Sequence, residues 1–328
     1  MSLNQPIQLV PLIKRAIWGG ERLAQSLGKE TGEFSDVAES WETADLPGNV
    51  CIVRNGPFAG KTLRQLVQDH PVELLGQHAH LKQFPILVKF LDAQSQLSVQ
   101  VHPKNPVRLS DGTWRTGKAE SWIVLDAQPE SRMYLGLKPG ITAKELRTAV
   151  QTGDFESCLH TCTPKIGDCF YLEPGTVHAL GGGILVAEIQ QPSDVTYRFY
   201  DWGRTDSQGR SRELHIEESF AATNFEIGAV HPVIPTPLPD RQRSERLVRS
   251  PYFEILRHPG PGTWSLPDDR KMHVLIVLSG TARQKDLLLR KGETAVIPAG
   301  RIHASWQLSD DAILLDATLP DQHSAEDN

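Results

Sequence analysis

Gln100 and His102 stand two residues apart in LSVQVHPKN, and in an extended strand that spacing puts both side chains on one face. Pro103 follows at once and is expected to end the strand. Lys118 and Glu120 repeat the spacing in GKAESW, at the start of the next apolar run. His178 follows the Pro/Gly turn of EPGTVHAL. One amide oxygen, two imidazoles and one carboxylate make a borderline nitrogen and oxygen donor set. Zinc suits such a set, and iron, manganese and cobalt stay open on ligand type alone. An isolated inward histidine is more often a satisfied core residue, so the joint pattern of four donors is what points to a metal. The stretch from Phe84 to Trp122 is therefore expected to supply the metal-holding half of one cavity.

The elements that must position these residues are mostly strands. Short apolar runs such as CIVR, ILVKFL, SWIVL, CFYL, ILVAEI and VTYRFY lie between turn residues. Helical spacing interrupts them at residues 60–76, where Leu63, Leu66 and Val67 share a face, and at 213–223. A capping box opens a helix in the insertion at 141–158, with Thr142 at the N-cap, Glu145 three residues later, and Ile141 and Leu146 as the hydrophobic staple. Four prolines in PVIPTPLPD mark a stiff linker at 232–244. Across it the chain repeats itself: GDCFYLEPGTVHAL before, GETAVIPAGRIHASW after. The fold expected is all-β with helical insertions, built as two related barrels. Residues 1–231 would form the metal-binding domain and 245–328 a second domain with a frayed tail. In that second copy His273 and His303 can face inward, but no QxH pair precedes them, so it reads as degenerate and metal-free.

A net charge of −6 argues against a general nucleic-acid-binding face. The N-terminal residues lack the apolar core of a signal peptide, and no run of about 18 apolar residues exists to span a membrane. Cys51, Cys158, Cys162 and Cys169 are expected to be reduced, structural thiols in a cytoplasmic protein. Gly181–Gly183 lacks the following Lys and Ser/Thr of a nucleotide-binding loop and reads as a tight turn.

Four separated segments, QVHPKN, GKAESW, EPGTVHALGGG and EIQQPSDVTYRFYDWGR, resemble the type I phosphomannose isomerases in their shorter bacterial form. The resemblance runs from about Leu12 to the end of the second barrel and is densest between residues 84 and 204. It implies two cupin-type (jelly-roll, double-stranded β-helix) barrels and one Zn²⁺ per chain, held by Gln100, His102, Glu120 and His178. It also implies interconversion of mannose 6-phosphate and fructose 6-phosphate through an enediol. Arg198 matches the arginine beside the reacting carbons, and Glu188 and Asp194 match acids on the same wall. Lys118 matches the lysine two before the ligand glutamate, and Ser98 and Arg204 match positions that hold the phosphate. Trp18 and Glu39 match residues near the pocket mouth. The large helical domain of the longer relatives is reduced here to the insertion at 60–76, and Arg204 stands where they carry Lys.

Arg198 keeps its proton at physiological pH, so it is expected to stabilise charge rather than act as a base. Glu188 is the first candidate for the base, with Lys118, Asp194 and a metal-bound water as alternatives. Salt bridges to Arg198 or Arg204 are the structural alternative for Glu188 and Asp194. Three other functions fit the scaffold: an isomerase of another phosphosugar, an iron-dependent oxidoreductase, and a non-catalytic sugar-binding protein. The expected partner is a small sugar phosphate, and the expected state a monomer or weak homo-oligomer.

Overall fold

The computed structural model describes residues 2–109, 112–205, 208–239, 243–301 and 305–321. His303 and most of the C-terminal tail lie outside them.

The chain is mostly β, with few and short helices. Four large sheets stack in layers. A five-stranded sheet faces a six-stranded sheet in the N-terminal part, and a six-stranded sheet faces a four-stranded one in the C-terminal part. The strands form open sheets, and among the described residues no closed barrel is found. The two six-stranded sheets pack back to back. Val88, Phe90, Ile123 and Ala187 of the first share one core with Ile255, Val274, Ile276 and Leu315 of the second. Each central strand is thus buried on both faces, which is why Leu87–Ala93 and Ile184–Gln190 are near-continuous apolar runs rather than alternating ones. The opposite face of the first six-stranded sheet, with Leu91, Trp122 and Val186, closes onto Met133, Leu135 and Leu180 of the five-stranded sheet.

The helices lie outside this stack. Leu63–Asp69 carries a capping box between Thr62 and Gln65 and buries Leu63, Leu66 and Val67. Ala143–Thr152 carries the expected box between Thr142 and Glu145. It buries Leu146 in the cluster that covers the back of the five-stranded sheet, with Ile141 packed against it. Ile216–Ala222 covers the same face through Phe220.

The proline-rich segment does not stand free. Val233 donates its backbone N–H to the Cys169 carbonyl at 2.7 Å, and Thr236–Pro237 pairs as an edge strand with Glu245–Arg249. Proline tolerates such an edge because its missing N–H faces outward. The N-terminus also crosses between the parts. Ile7 and Val296 exchange two backbone hydrogen bonds of 2.8 Å, covering the edge of the second six-stranded sheet. All four cysteines are free. Burial pushes the Cys51 and Cys169 thiols up to about 12, so neither is poised as a nucleophile.

Candidate active site

The site lies between the five- and six-stranded sheets of the N-terminal part. Strand Val99–Val101 places Gln100 opposite His178, which opens strand His178–Leu180. Cross-strand partners share a face, so both point between the sheets, and His102 follows with the same parity. The turn before His178 is fixed from both sides. Gly175 donates its N–H to the His102 carbonyl at 2.8 Å, and Thr176 Oγ1 donates to the Glu173 carbonyl at 2.7 Å. Gly175 sits at φ 96°, where a side chain is strained, and a Cβ there would meet Asn224 at 2.9 Å. Glu120 comes from the facing sheet, at the start of strand Glu120–Ala127.

Hydrogen bonds set the tautomer of each imidazole. A carbonyl can only accept, so His102 Nδ1–H donates to Val195 at 2.8 Å and His178 Nδ1–H to Thr176 at 2.8 Å. Burial, then the Lys118 ammonium, drive the His102 pKa down to about 3 against the pull of Glu120. Its Nε2 is therefore an acceptor, facing the Lys118 ammonium. His178 Nε2 lies 3.1 Å from Glu120 Oε1, and His102 Nε2 lies 3.4 Å from Glu120 Oε2. Glu120 is only 1% exposed, and besides the imidazoles it faces the Lys118 ammonium, 2.7 Å from Oε2. Burial would raise the Glu120 pKa, but the Lys118 cation and the histidines outweigh it and hold the group well below the ordinary range. Two imidazole Nε2 atoms and a buried carboxylate converge, with the Gln100 amide 3.4 Å from His178 Nε2. That electron-rich, buried arrangement fits a borderline divalent cation, and backbone carbonyls already orient both rings for one.

A charged ladder continues along the six-stranded sheet. Lys118 Nζ lies 2.7 Å from Glu120 Oε2, 3.1 Å from His102 Nε2 and 3.5 Å from Glu188 Oε1. Glu188 stands opposite Trp122 on one side and Lys89 on the other. Lys89 Nζ reaches Glu188 at 3.7 Å and Glu39 at 3.3 Å, and stacks over the Trp41 ring. Burial raises the Glu188 pKa, and the two lysines only partly offset it. Glu39 is instead held low: burial pushes up, but Lys89 and the Trp41 indole N–H, 2.6 Å away, outweigh it. The two glutamates thus share one lysine but differ in basicity. Lys89 itself is pushed up, since its carboxylate neighbours outweigh burial.

Arg198 lies opposite Gln100, on the same sheet face, with its Nε buried and bonded to nothing. Burial, then Arg212, lower its pKa from the usual guanidinium value without bringing it near neutrality. Arg204 donates to the Gln96 carbonyl and the Asp201 carboxylate, which Arg212 also grips. Two guanidiniums on one carboxylate leave a net positive charge at this end. Ser98 is 3% exposed and precedes Gln100 by two residues, so it shares the inward parity. Asp194 is drawn aside into an ion pair with Arg115 at 3.0 Å. Trp18 packs with Leu91 and Trp122 in the core between the sheets. Lys89, Arg115 and Arg212 escaped the sequence reading. Lys89 sits inside an apolar run, and Arg212 inside a polar loop, with no motif to single them out.

A model of the phosphomannose isomerase type I catalytic domain matches residues 7–113. A mannose-6-phosphate isomerase from Streptococcus mutans is 35% identical over 314 residues, covering 94% of this chain and 96% of its own. The probable mannose-6-phosphate isomerase GmuF of Bacillus subtilis is 36% identical over 285 residues, covering 86% and 88%. The crystal structure of the Bacillus subtilis mannose 6-phosphate isomerase superposes with a TM-score of 0.85 at 30% identity, over 96% of this chain and 99% of its own. A phosphomannose isomerase from Salmonella typhimurium, at 16% identity and a TM-score of 0.73, shares the fold. The chain belongs to the type I mannose-6-phosphate isomerases.

Proposed function

We propose that this protein interconverts mannose 6-phosphate and fructose 6-phosphate in the cavity between its N-terminal sheets, with one Zn²⁺ as cofactor. The observation that carries the reading is the convergence of two imidazole Nε2 atoms on the buried Glu120 carboxylate. Gln100, His102, Glu120 and His178 would hold the ion. When bound, it supplies positive charge facing the oxygen that becomes anionic as the enediol forms.

The remaining steps belong to the protein. Glu188 carries the proton between C1 and C2. Its buried carboxyl has a pKa raised by desolvation, which suits a group that must both take and return a proton. Lys118, within 3.5 Å of Glu188, and Arg198, on the face of Gln100, stabilise the developing negative charge. Glu120 is held too acidic to serve as the base. Arg204, with Arg212 and Ser98, holds the phosphate at the cationic end; Arg permits a bidentate grip. Asp194 orders the Arg115 wall at the opposite, His102 end of the strand pair. Glu39 keeps Lys89 charged beneath Glu188, and Trp18 seals the floor behind them. The two sheet pairs are read as two jelly-roll units of the cupin type, residues 1–231 and 245–328, joined by the proline-rich segment. The strand order of the two six-stranded sheets supports that division. No described helix is long and apolar enough to cross a membrane.

The test is conversion of mannose 6-phosphate by purified protein before and after treatment with a strong chelator, with metal content measured in parallel. Turnover that falls with the metal and returns with added Zn²⁺ is expected. Metal-replete protein that binds the sugar phosphate but forms no fructose 6-phosphate would sink the isomerase reading; activity indifferent to complete metal loss would sink the zinc assignment.

A further inference from the structure

The registers of the two six-stranded sheets can be laid on one another. In the first, Glu120 lies opposite Leu172 and Gln190, and Trp122 lies opposite Glu188. In the second, His273 lies opposite Ile297 and Thr318, and Leu275 lies opposite Asp316. Lys89, beyond Glu188, corresponds to Leu256, beyond Asp316. Lys271 precedes His273 by two residues, as Lys118 precedes Glu120. An imidazole thus stands at the position of the metal-facing carboxylate, and a buried acid stands at the position of Glu188.

This imidazole cannot serve a metal. Nδ1 is 2.7 Å from Asp316 Oδ1 and Nε2 is 3.1 Å from Asp269 Oδ2, so both nitrogens donate. Burial works against a charged ring, but Asp316 and Asp269 outweigh it and push the His273 pKa up to about 9. Beside the ring lies a cavity of about 420 Å³, lined by Arg246, Glu254, Leu256, Lys271, His273 and Asp316 among others. That volume falls among small-molecule sites, which span roughly 300–1,000 Å³. Its cations have partners: Arg246 with Glu254 at 2.6 Å, Lys271 with Asp321 at 3.1 Å, and His273 with its two aspartates. Asp316 Oδ2 does not. It is buried on a residue 1% exposed and accepts no hydrogen bond. A phosphate ester would find each described lining cation already neutralised, unlike the Arg204–Arg212 end of the first cavity. A hydroxyl group can donate to the bare oxygen and accept from the rim cations at once.

We propose that this cavity binds a neutral polyhydroxylated molecule of monosaccharide size, one hydroxyl of which donates to Asp316 Oδ2. The site is separate from the isomerase cavity and does not depend on what that cavity does.

Ligand-observed saturation-transfer NMR on the intact protein, with D-glucose and inorganic phosphate as probes, tests it. Saturable D-glucose binding is expected for the wild type. It should persist in folded His178→Ala protein, whose metal set is broken. Asp316→Asn keeps one acceptor for His273 and turns the bare acceptor into a donor, so binding should weaken at least about tenfold. Leu256→Trp fills the cavity from the opposing strand and should abolish binding while leaving the charged cluster intact. Melting curves and circular dichroism establish that each variant is folded. The proposal is overturned by no saturable D-glucose binding to the wild type, by unchanged binding in Asp316→Asn or in Leu256→Trp, by loss of binding in folded His178→Ala, or by phosphate binding more tightly than D-glucose.

Discussion

The two sheet pairs place ionisable residues at corresponding register positions and partner them differently. In the N-terminal pair the Glu120 carboxylate faces the Nε2 atoms of two imidazoles. In the C-terminal pair His273 is clamped between two carboxylates and has no lone pair to offer. The first arrangement gathers ligand atoms round a carboxylate; the second gathers carboxylates round a cation, the imidazolium. Swapping a carboxylate for an imidazole in one strand register therefore changes what each cavity can take. The acids one strand over diverge as well. Glu188 lies between two lysines, whereas Asp316 has a leucine on one side and spends one oxygen on His273.

The comparison breaks most visibly at those acids. Glu188→Gln is expected to lower kcat by about 10²–10⁴-fold, the usual worth of a general acid–base group, with metal content unchanged. Steady-state kinetics with mannose 6-phosphate check this, and a loss under about fivefold would move the base elsewhere. The arginines come next. Arg198→Ala should cost about 10²–10³-fold in kcat, as loss of a donor to developing charge does. Arg246→Ala, on the six-stranded-sheet wall of the second cavity, should leave turnover within about twofold. Equal losses in both would mean that the two cavities act together.

The smallest effect lies in pH-dependent stability. The folded pKa of His273 stands at about 9 against an unfolded value of 6.5. Because the folded value is the higher one, this contribution is complete below the unfolded pKa and is lost as pH rises through the folded one. Melting temperature should therefore fall by roughly 3 °C or more between pH 6.5 and 9, on the scale of a single kcal/mol in a domain this size. His273→Gln should flatten that part of the curve while lowering it overall. A wild-type curve with no slope in this window would show that the imidazolium is not held as its two short contacts imply.

Much of this was legible before any coordinates. The strand runs, the capped helix at Thr142, the helical stretch at 60–76 (broken in two at Pro71) and the clustering of His102, Glu120 and His178 follow from local spacing and cap chemistry. The layer stacking was not. Val88 and Leu91 look equally apolar along the chain, yet one faces the C-terminal sheets and the other the cavity. Lys89 was hidden for the same reason, since a lysine within an apolar run declares nothing about the carboxylates brought to it from distant strands. Trp18, expected at the pocket mouth, packs beside Trp122 in the core, and Asp194 turns to Arg115. His303, expected to face inward in the second copy, lies outside the described residues.

By itself, the amino-acid sequence determined which donors exist and which of them share a strand face, because period-two geometry and turn chemistry act over a few residues. Only the tertiary structure decided which charges meet. Partners such as Lys89 and Glu188, or His273 and Asp316, are joined by register between strands far apart in the chain. Burial then raises the cost of leaving any of them alone, so the fold, more than the residue type, settles which carboxylate is left bare for a ligand.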